Sequence, residues 1–313
     1  MITLDQVLHE QKNLASLCTP RTEHCHELYR PNDNYGLAYI LKSYAGYPID
    51  KPIMATIPHG IYFRDKVLPN SEINAPLPAV LSYPGYITQL WKKFAKKKAV
   101  IPIASPVLYA LKMFQSEVPE EERQGTLFMP KHSTAAVDVI FDKEAVIREL
   151  EDLPDEFKPV TVCVHWNDVI NGQDRYFKSM GFEVVCAGHM SDFNYLFRWL
   201  HLLSRHKLAA HCGLGSALFY SVSAGVPFLL TRQDATTKQN GRAAHIKMFN
   251  KDGPHYSGKA MARMDKLRGL FSTPSSIISQ PQEGIVNLYT QKDMVKSPEA
   301  LNSDLCHLQK LAR

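Results

Sequence analysis

The sequence predicts an α/β protein built from two doubly wound, Rossmann-like domains whose parallel sheets face a cleft. The first observation is that short apolar runs alternate with helix-length stretches through most of the chain, as in βαβ units. The second is that polar residues follow the apolar runs, at the places where parallel sheets bind ligands. The third is the length of 313 residues, which is enough for two domains with real hydrophobic cores.

The first half of the chain is loop-rich and partly helical up to Tyr47, and then becomes regular. Its predicted strands are Pro52–Ile57, Ala79–Ser82 and Ala99–Ile103, and its predicted helices are Tyr86–Lys97 and Pro106–Gln115. The charged stretch Pro119–Gly125 ends in a glycine and predicts a linker. We therefore predict a first domain over residues 1–122.

The second half repeats the alternation. Its predicted strands are Thr126–Met129, Val160–Val164, Glu183–Ala187, Lys207–His211 and Gly225–Leu230, and its predicted helices are Lys143–Leu153, Gln173–Met180, Asp192–Leu203 and Ala217–Ala224. Beyond Gln233 the pattern weakens, with helices predicted over Lys259–Leu270 and Glu299–Leu311. The predicted second domain spans residues 123–290, and residues 291–313 form a helical tail.

A glycine-containing turn, Cys212–Ser216, joins one of these strands to the helix at Ala217. Such a turn leaves backbone N–H groups and the positive helix end directed at one place, which favours a phosphate or diphosphate. The same turn can also be an ordinary helix start that binds nothing. It lacks the third small residue and the later acidic residue of the dinucleotide fingerprint, and the lysine of a P-loop, so NAD and Walker-type ATP are disfavoured.

Histidines follow five of the predicted strands. These strand-end residues are His59, Lys131-His132-Ser133-Thr134, His165 with Asp168, His189, and His211. A single histidine of this kind is often a core or loop residue, but repetition at equivalent places favours donors to phosphate or a general base. Lys131, Ser133 and Thr134 add a cation and hydroxyl donors, as a phosphate or ribose site requires. His59 and His132 rank highest as catalytic residues.

Composition excludes several classes of protein. Apolar residues make up 45% and charged residues 21% of the chain, which is typical of an ordered globular protein. No apolar run approaches the roughly 18 residues of a membrane span, and no signal core follows Met1, so we expect a cytoplasmic protein. The six cysteines have no CxxC spacing, and the cluster of Cys18 with His24-Cys25-His26 lacks a second ligand pair, so we predict no metal.

The net charge of +5 is mild, and part of it lies in Trp91–Lys98, where five lysines accompany two aromatic residues. Such a patch suits phosphates or an anionic membrane surface. Lysines at the end of a helix are equally typical of a solvated C-terminus. No nucleic-acid-binding module is recognisable, so nucleic acid is not an expected partner.

Three motifs carry a resemblance to a known family: Pro58–Tyr62, Cys163–Asp168, and Gly213–Tyr220 with Gly225–Pro227. Together they make residues 50–232 resemble the GT-B architecture of nucleotide-sugar glycosyltransferases, and in particular the glycosyltransferase-like proteins of bacterial surface-polysaccharide assembly. The resemblance implies that the N-terminal domain presents the acceptor and the C-terminal domain holds the nucleotide. It places donor-phosphate contacts at Gly213, Leu214, Gly215 and Ser216, and a donor-facing loop at His132–Thr134.

The sequence departs from this family at one point, because the stretch Phe219–Ala224 has no Glu of the kind that retaining GT-B enzymes carry there. Tyr220 or Ser221 is then expected to face the nucleoside, or the donor is a CMP- or CDP-linked sugar. We expect no cofactor, a nucleotide-sugar donor, and a glycan or lipid-linked glycan acceptor. A peripheral contact with the inner face of the membrane through Trp91–Lys98 is a further expectation.

The expected reaction is metal-independent sugar transfer to a hydroxyl of a surface glycan. His59, or alternatively Asp65, would remove the hydroxyl proton, while Lys131 or His132 would stabilise the leaving phosphate.

Two alternatives stay open. A non-hydrolysing sugar-nucleotide epimerase of the same fold would need an acid and a base, for which the candidates are Asp168, Asp192 and Glu183. A scaffold protein of a polysaccharide cluster would keep a relic nucleotide site without turnover.

Overall fold

The computed structural model describes residues 2–66, 68–133, 137–232, 236–239 and 256–312. Its strands are β1 (Ala55–Thr56), β2 (Ala79–Ser82), β3 (Ala99–Pro102), β4 (Thr126–Met129), β5 (Val137–Ile140), β6 (Val160–Cys163), β7 (Glu183–Val185), β8 (Leu208–His211), β9 (Phe228–Leu230) and β10 (Thr236–Gln239). Two of the three sheets that these strands form are parallel, which confirms the predicted α/β class.

The helices lie between and around these strands. They are α1 (Leu4–Gln11), α2 (Leu14–Leu17), α3 (Leu37–Ala45), α4 (Asn70–Ile73), α5 (Gly85–Phe94), α6 (Pro106–Met113), α7 (Lys143–Glu151), α8 (Trp166–Ile170), α9 (Gln173–Ser179), α10 (Tyr195–Ser204), α11 (Ser216–Ser223), α12 (Gly258–Leu270), α13 (Gln280–Thr290) and α14 (Pro298–Leu311). No helix in these ranges is long and apolar enough to cross a membrane.

The larger sheet has the strand order β7-β6-β4-β8-β9, with every neighbouring pair parallel. If its strands are counted along the chain, this is the order 3-2-1-4-5 of a doubly wound sheet. The order reverses between β4 and β8, whose register pairs Phe128 with Ala210 and Met129 with His211. Ligands of such sheets bind outside the carboxyl ends of the two strands at this switch point.

The smaller parallel sheet has the order β1-β2-β3, and its strands lie where the sequence predicted them. The strand β1 is limited to Ala55–Thr56 and pairs only with β2. Pro52 before it and Pro58 after it have no backbone N–H to donate to a neighbouring strand, which limits its length. The antiparallel pair of β5 and β10 and the helix α13 were not predicted. Pro281 and Gly284 weaken the helical pattern of α13, whose clearest signal is the capping box at Ser279.

One continuous hydrophobic core joins the two parallel sheets, with Ala79 and Leu81 from the smaller sheet and Leu127 and Ala209 from the larger one. The helices at the two ends of the chain each pack on the opposite half: α1 packs on α10 beside the larger sheet, and α14 packs on α3 beside the smaller one. Gly125, directly before β4, has a positive φ of 63°, and a Cβ there would lie 2.0 Å from the carbonyl oxygen of Pro159. The domain boundaries at 122 and 290 stay predictions.

Candidate functional site

The candidate site lies at the switch point, where the loops after β4 and β8 meet. The backbone N–H of Lys131 donates to the Cys212 sulfur, with 3.2 Å between the two atoms. Helix α11 then begins after Gly215, and this N-cap residue has no side chain that could cap the first turn. The N–H groups of that turn therefore have no N-cap side chain to donate to, and they carry the partial positive charge of the helix end.

A loop from the smaller sheet covers the start of α11. The backbone N–H of Ile61 donates to the Ser216 Oγ at 2.9 Å, and the hydroxyl of Tyr83 donates to the Pro58 carbonyl at 3.0 Å. His59 lies between these two anchors, and its side chain is exposed. The structure thus brings the first sheet's histidine to the helix start of the second.

The pKa of His59 lies below its usual value for two reasons. The surrounding protein displaces part of the water near the ring, although the ring stays accessible, and His132 lies close enough to add repulsion. The two residues ranked highest from the sequence therefore share one site, although they come from different sheets. Both are neutral near pH 7, because the pKa of His132 is lowered as well, mainly by burial.

Four aromatic rings form a row along the carboxyl edge of the larger sheet. His132 and His165 are stacked with ring centroids 3.8 Å apart and an angle of 15° between their planes. Trp166 follows at 5.4 Å from His165, and His189 at 4.2 Å from Trp166. Burial, with smaller contributions from His132 and His189, lowers the pKa of His165 to about 2. His165 is therefore uncharged under all ordinary conditions.

Asp168 holds the loop that carries His132. The backbone N–H of Ser133 lies 3.3 Å from both carboxylate oxygens of Asp168, and the Asn167 side chain donates to the Ser133 carbonyl at 3.3 Å. Burial raises the pKa of Asp168 to about 6, against the hydrogen bonds from Ser133 and the charge of Lys143. The role of Asp168 in the structure is to fix a loop.

The remaining donor-site predictions have mixed placements. His211 donates from Nδ1 to the Gly213 carbonyl at 2.8 Å, which fixes the turn before α11, and Leu214 is half-buried beside it. His189 accepts at Nδ1 from the backbone N–H of Ser191 at 3.1 Å. Thr134 lies outside the described residues.

Tyr220 and Ser221, the two candidates for a nucleoside contact, are placed differently. The hydroxyl of Tyr220 lies among those of Ser105, Tyr83 and Ser216, between the two sheets. Ser221 is fully buried. The expectation that Ser221 contacts a nucleoside is therefore wrong, because the apolar face of α11 turns it into the core. Tyr220 as a donor contact stays a prediction.

The alternative base Asp65 is occupied elsewhere. It accepts from the backbone N–H of Ser257 at 2.8 Å and from Arg263 at 3.2 Å. Burial alone would raise its pKa, but these hydrogen bonds outweigh burial and hold the pKa of Asp65 below its usual value. A carboxylate in this state is a poor base.

The three carboxylates that an epimerase would need are not brought together. Asp192 is fully buried and paired with Arg198 at 2.9 Å. Glu183 begins β7, and therefore lies at the amino edge of the sheet, away from Asp168. The structure thus separates the candidate acid and base.

Two sequence clusters lie outside the strand ends, one around His24 and one around Trp91. The His24 ring packs on Phe193 with centroids 4.4 Å apart, and no group of three or more His, Cys, Asp or Glu residues in the described ranges is placed to hold a metal ion. Trp91, on the buried face of α5, has no exposed surface and cannot touch a membrane as predicted, whereas Phe94 is 58% exposed. Lys98 donates to the carbonyls of Ala75 and Leu77.

The sequence did not point to Tyr35 or Asn167 as site residues. The Tyr35 ring lies 6.0 Å from that of His59 and 4.8 Å from that of Tyr195. Its backbone has a φ of 60°, which is rare for a non-glycine residue, and its N–H donates to the Met190 carbonyl at 2.6 Å. The one sequence signal was the following residue, Gly36, which is typical of a sharp turn.

Comparison with known proteins adds little to this geometry. No family model and no curated protein matches the sequence. Among solved structures, the wall teichoic acid polymerase TagF is similar with a TM-score of 0.37 and 13% identity, over 78% of this chain and 60% of that one. The catalytic domain of starch synthase IV from Arabidopsis thaliana, bound to ADP and acarbose, has a TM-score of 0.29 and 9% identity, over 77% of this chain and 56% of that one. The present chain thus spans less than two thirds of either structure.

Proposed function

We propose that this protein is a glycosyltransferase that moves a sugar from a nucleotide-sugar donor to a hydroxyl of a glycan. The observation that carries the proposal is the uncapped start of α11 at the switch point of a 3-2-1-4-5 sheet. Backbone N–H groups at such a place bind phosphate or diphosphate well. The donor's phosphates would lie at Gly213, Leu214, Gly215 and Ser216, with Lys131 as the nearby cation.

Transfer would break the bond between the sugar's anomeric carbon and the donor phosphate, and form one to the acceptor oxygen. The phosphate leaves with the electron pair, and the N–H groups at Gly215 and Ser216 stabilise its charge without requiring a metal ion. A neutral imidazole takes the acceptor's proton. Both His59 and His132 supply one at neutral pH, because the pKa of each is below its usual value.

The acceptor is proposed to be a surface glycan such as capsule or O-antigen, free or linked to lipid, that enters from the side of the smaller sheet. The exposed residues Lys92, Lys93, Phe94 and Lys96 with Lys97 would bring the protein to an anionic membrane. Each lysine near such a surface contributes on the order of 1 kcal/mol. Cosedimentation with anionic vesicles tests this contact, and binding that survives replacement of these lysines by glutamine contradicts it.

The first experiment is a thermal-shift panel of CMP, CDP, UDP, GDP and ADP in the presence of a chelator. A ligand at about 100 times its dissociation constant stabilises by roughly 2.7 kcal/mol. A shift for one base names the donor class. If none of the five shifts the transition, the proposed donor site is wrong.

The second experiment measures transfer with the matching nucleotide-sugar. His59→Ala and His132→Ala are compared with His307→Ala, whose side chain is exposed on α14 far from the cleft. We expect the first two variants to lose transfer and the third to keep it. Full activity in both cleft variants contradicts the proposal, and nucleotide binding without turnover for any donor favours the scaffold alternative. A product formed from donor alone favours an epimerase.

A further inference from the structure

The stacked rings of His132 and His165 differ in their hydrogen bonds at Nδ1. The Nδ1 of His132 lies 3.1 Å from the carbonyl oxygen of Ser133. A carbonyl can only accept, so Nδ1 of His132 must carry the proton and Nε2 must carry the lone pair. The Nδ1 of His165 instead accepts from the backbone N–H of Asn167 at 3.4 Å, so its proton must be on Nε2.

Both rings are uncharged at neutral pH, so each ring carries one N–H proton, and the hydrogen bond at Nδ1 decides which nitrogen holds it. Burial lowers the pKa of His132 and of His165, that of His165 to about 2. The Nε2 of His165 is buried and makes no hydrogen bond to any described part of the chain. A buried donor without a partner is unfavourable, and an oxygen of a bound ligand would satisfy it.

Asn167 contributes to both arrangements. Its side-chain amide donates to the Ser133 carbonyl at 3.3 Å, the same oxygen that accepts from His132. Its backbone N–H donates to His165. Asp168, the next residue, accepts from the Ser133 N–H, so the Ser133 backbone is held at its N–H and at its carbonyl.

We infer that His132 and His165 are held in opposite tautomers, His132 as a proton acceptor at Nε2 and His165 as a donor at Nε2, and that Asn167 positions His132. In the proposed transfer, His132 accepts the hydroxyl proton and His165 donates to an oxygen of the leaving phosphate. This division of roles rests on the proposed function. The tautomers themselves do not.

The test is a long-range ¹H–¹⁵N spectrum of protein labelled at the histidine rings, recorded at neutral pH. The chain supplies its own standards: Nδ1 of His206 donates to the Leu202 carbonyl at 2.8 Å, and Nε2 of His201 donates to the Ile2 carbonyl at 2.9 Å. Signals are assigned with His132→Gln and His165→Gln. We expect His132 to match His206 and His165 to match His201. The same tautomer in both stacked rings, or a charged His132, overturns the inference.

The positioning role is tested by Asn167→Ala against Asn171→Ala, an exposed residue at the end of the same helix. We expect Asn167→Ala to move His132 toward the Nε2–H tautomer, while His165, whose partner is a backbone group, keeps its pattern. Asn171→Ala should change neither ring. Unchanged signals of His201 and His206 show that the variant is folded, and an unchanged His132 in Asn167→Ala refutes the role of Asn167.

The donor role is tested by kinetics once a donor is known. His165→Phe keeps a ring on the stack but removes the N–H, whereas His165→Gln keeps an N–H near the same place. Removal of a donor that acts on developing charge lowers kcat about 100-fold. We expect that loss in His165→Phe and recovery in His165→Gln. If both variants lose equally, the stack and not the donor matters, and the role of His165 is refuted even where the tautomers are as inferred.

Discussion

The contact between Gly60 and Ser216 is predicted to couple the two sheets energetically. Ser216 Oγ accepts from the N–H of Ile61 at 2.9 Å, and a Cβ added at Gly60 would lie 2.8 Å from the same oxygen. Gly60→Ala therefore pushes the hydroxyl away by about half an ångström to reach ordinary contact, and the hydrogen bond is lost. The φ of Gly60 is outside the left-handed region, so an alanine backbone is allowed there.

The expected changes in the free energy of unfolding all come from interactions of the Ser216 Oγ. Ser216→Ala leaves the Ile61 N–H without its acceptor and costs about 1–2 kcal/mol of the free energy of unfolding. Gly60→Ala costs about 1–3 kcal/mol through the same bond and the added crowding. In the Ser216→Ala background the hydroxyl is absent, so Gly60→Ala becomes close to neutral. The double variant should therefore lose less stability than the two single variants lose together. The difference, which is the coupling free energy of the pair, is about 1 kcal/mol or more.

The assay is equilibrium urea unfolding of the four proteins, followed by far-ultraviolet circular dichroism and by tryptophan fluorescence. Gly284→Ala is the control, because Gly284 is exposed in α13 and a Cβ there meets nothing within 4 Å. A gain of about 0.5–1 kcal/mol is expected for that helical glycine. Additivity of Gly60→Ala and Ser216→Ala within about 0.5 kcal/mol would refute the contact.

Three further predictions concern single buried groups. Because the pKa of Asp168 is raised to about 6, its carboxyl keeps its proton to higher pH in the folded state than in the unfolded state, and its contribution to stability falls as pH rises toward 6. In urea titrations, the stability of Asp168→Asn relative to the wild type should therefore increase by on the order of 1–3 kcal/mol from pH 4 to pH 7, and an equal difference at both pH values contradicts this. Trp91→Ala should cost about 3–5 kcal/mol in the same assay, whereas Phe94→Ala, more than half exposed, should change it by less than about 0.5 kcal/mol and lower binding to anionic vesicles instead. Lys42→Met should cost about 3–5 kcal/mol because it leaves Glu27, 2.6 Å from Lys42 Nζ, buried and unpaired, and partial recovery in the double variant with Glu27→Gln is the check.

The sequence predicted the elements that local chemistry defines. The strands Ala79–Ser82 and Thr126–Met129 have the predicted bounds, because each is a fully buried run between prolines, glycines or charged residues. The pairing of β5 with β10 could not be predicted, since it joins segments almost a hundred residues apart, and β10 has no apolar residue. Long-range pairing depends on the rest of the fold and has little local signal.

For the candidate site, the sequence pointed to the histidines but not to the residues that contact them. The positions after strands follow from the rule for parallel sheets, and the structure brings His59, His132 and His165 to one edge as that rule requires. The approach of Tyr35 to His59 depends on a left-handed backbone that only the packing of Met190 and Phe193 around Tyr35 and Gly36 imposes. Which ring nitrogen carries a proton depends on atoms of other loops, so no spacing could indicate it.

Three locally unfavourable features of the described chain lie at this edge, and they support the proposal that it is a working site. Tyr35 has a positive φ, Asp168 keeps a carboxyl whose pKa is raised by burial, and His165 has a buried nitrogen without a partner. Each feature lowers stability, and none fills the core better than an apolar residue would. Proteins retain such departures from local rules mainly where a ligand or a reaction uses them. Substitutions that remove these features one at a time should therefore raise the free energy of unfolding and weaken ligand binding or activity. Replacement of a core residue by a close isostere should change neither quantity.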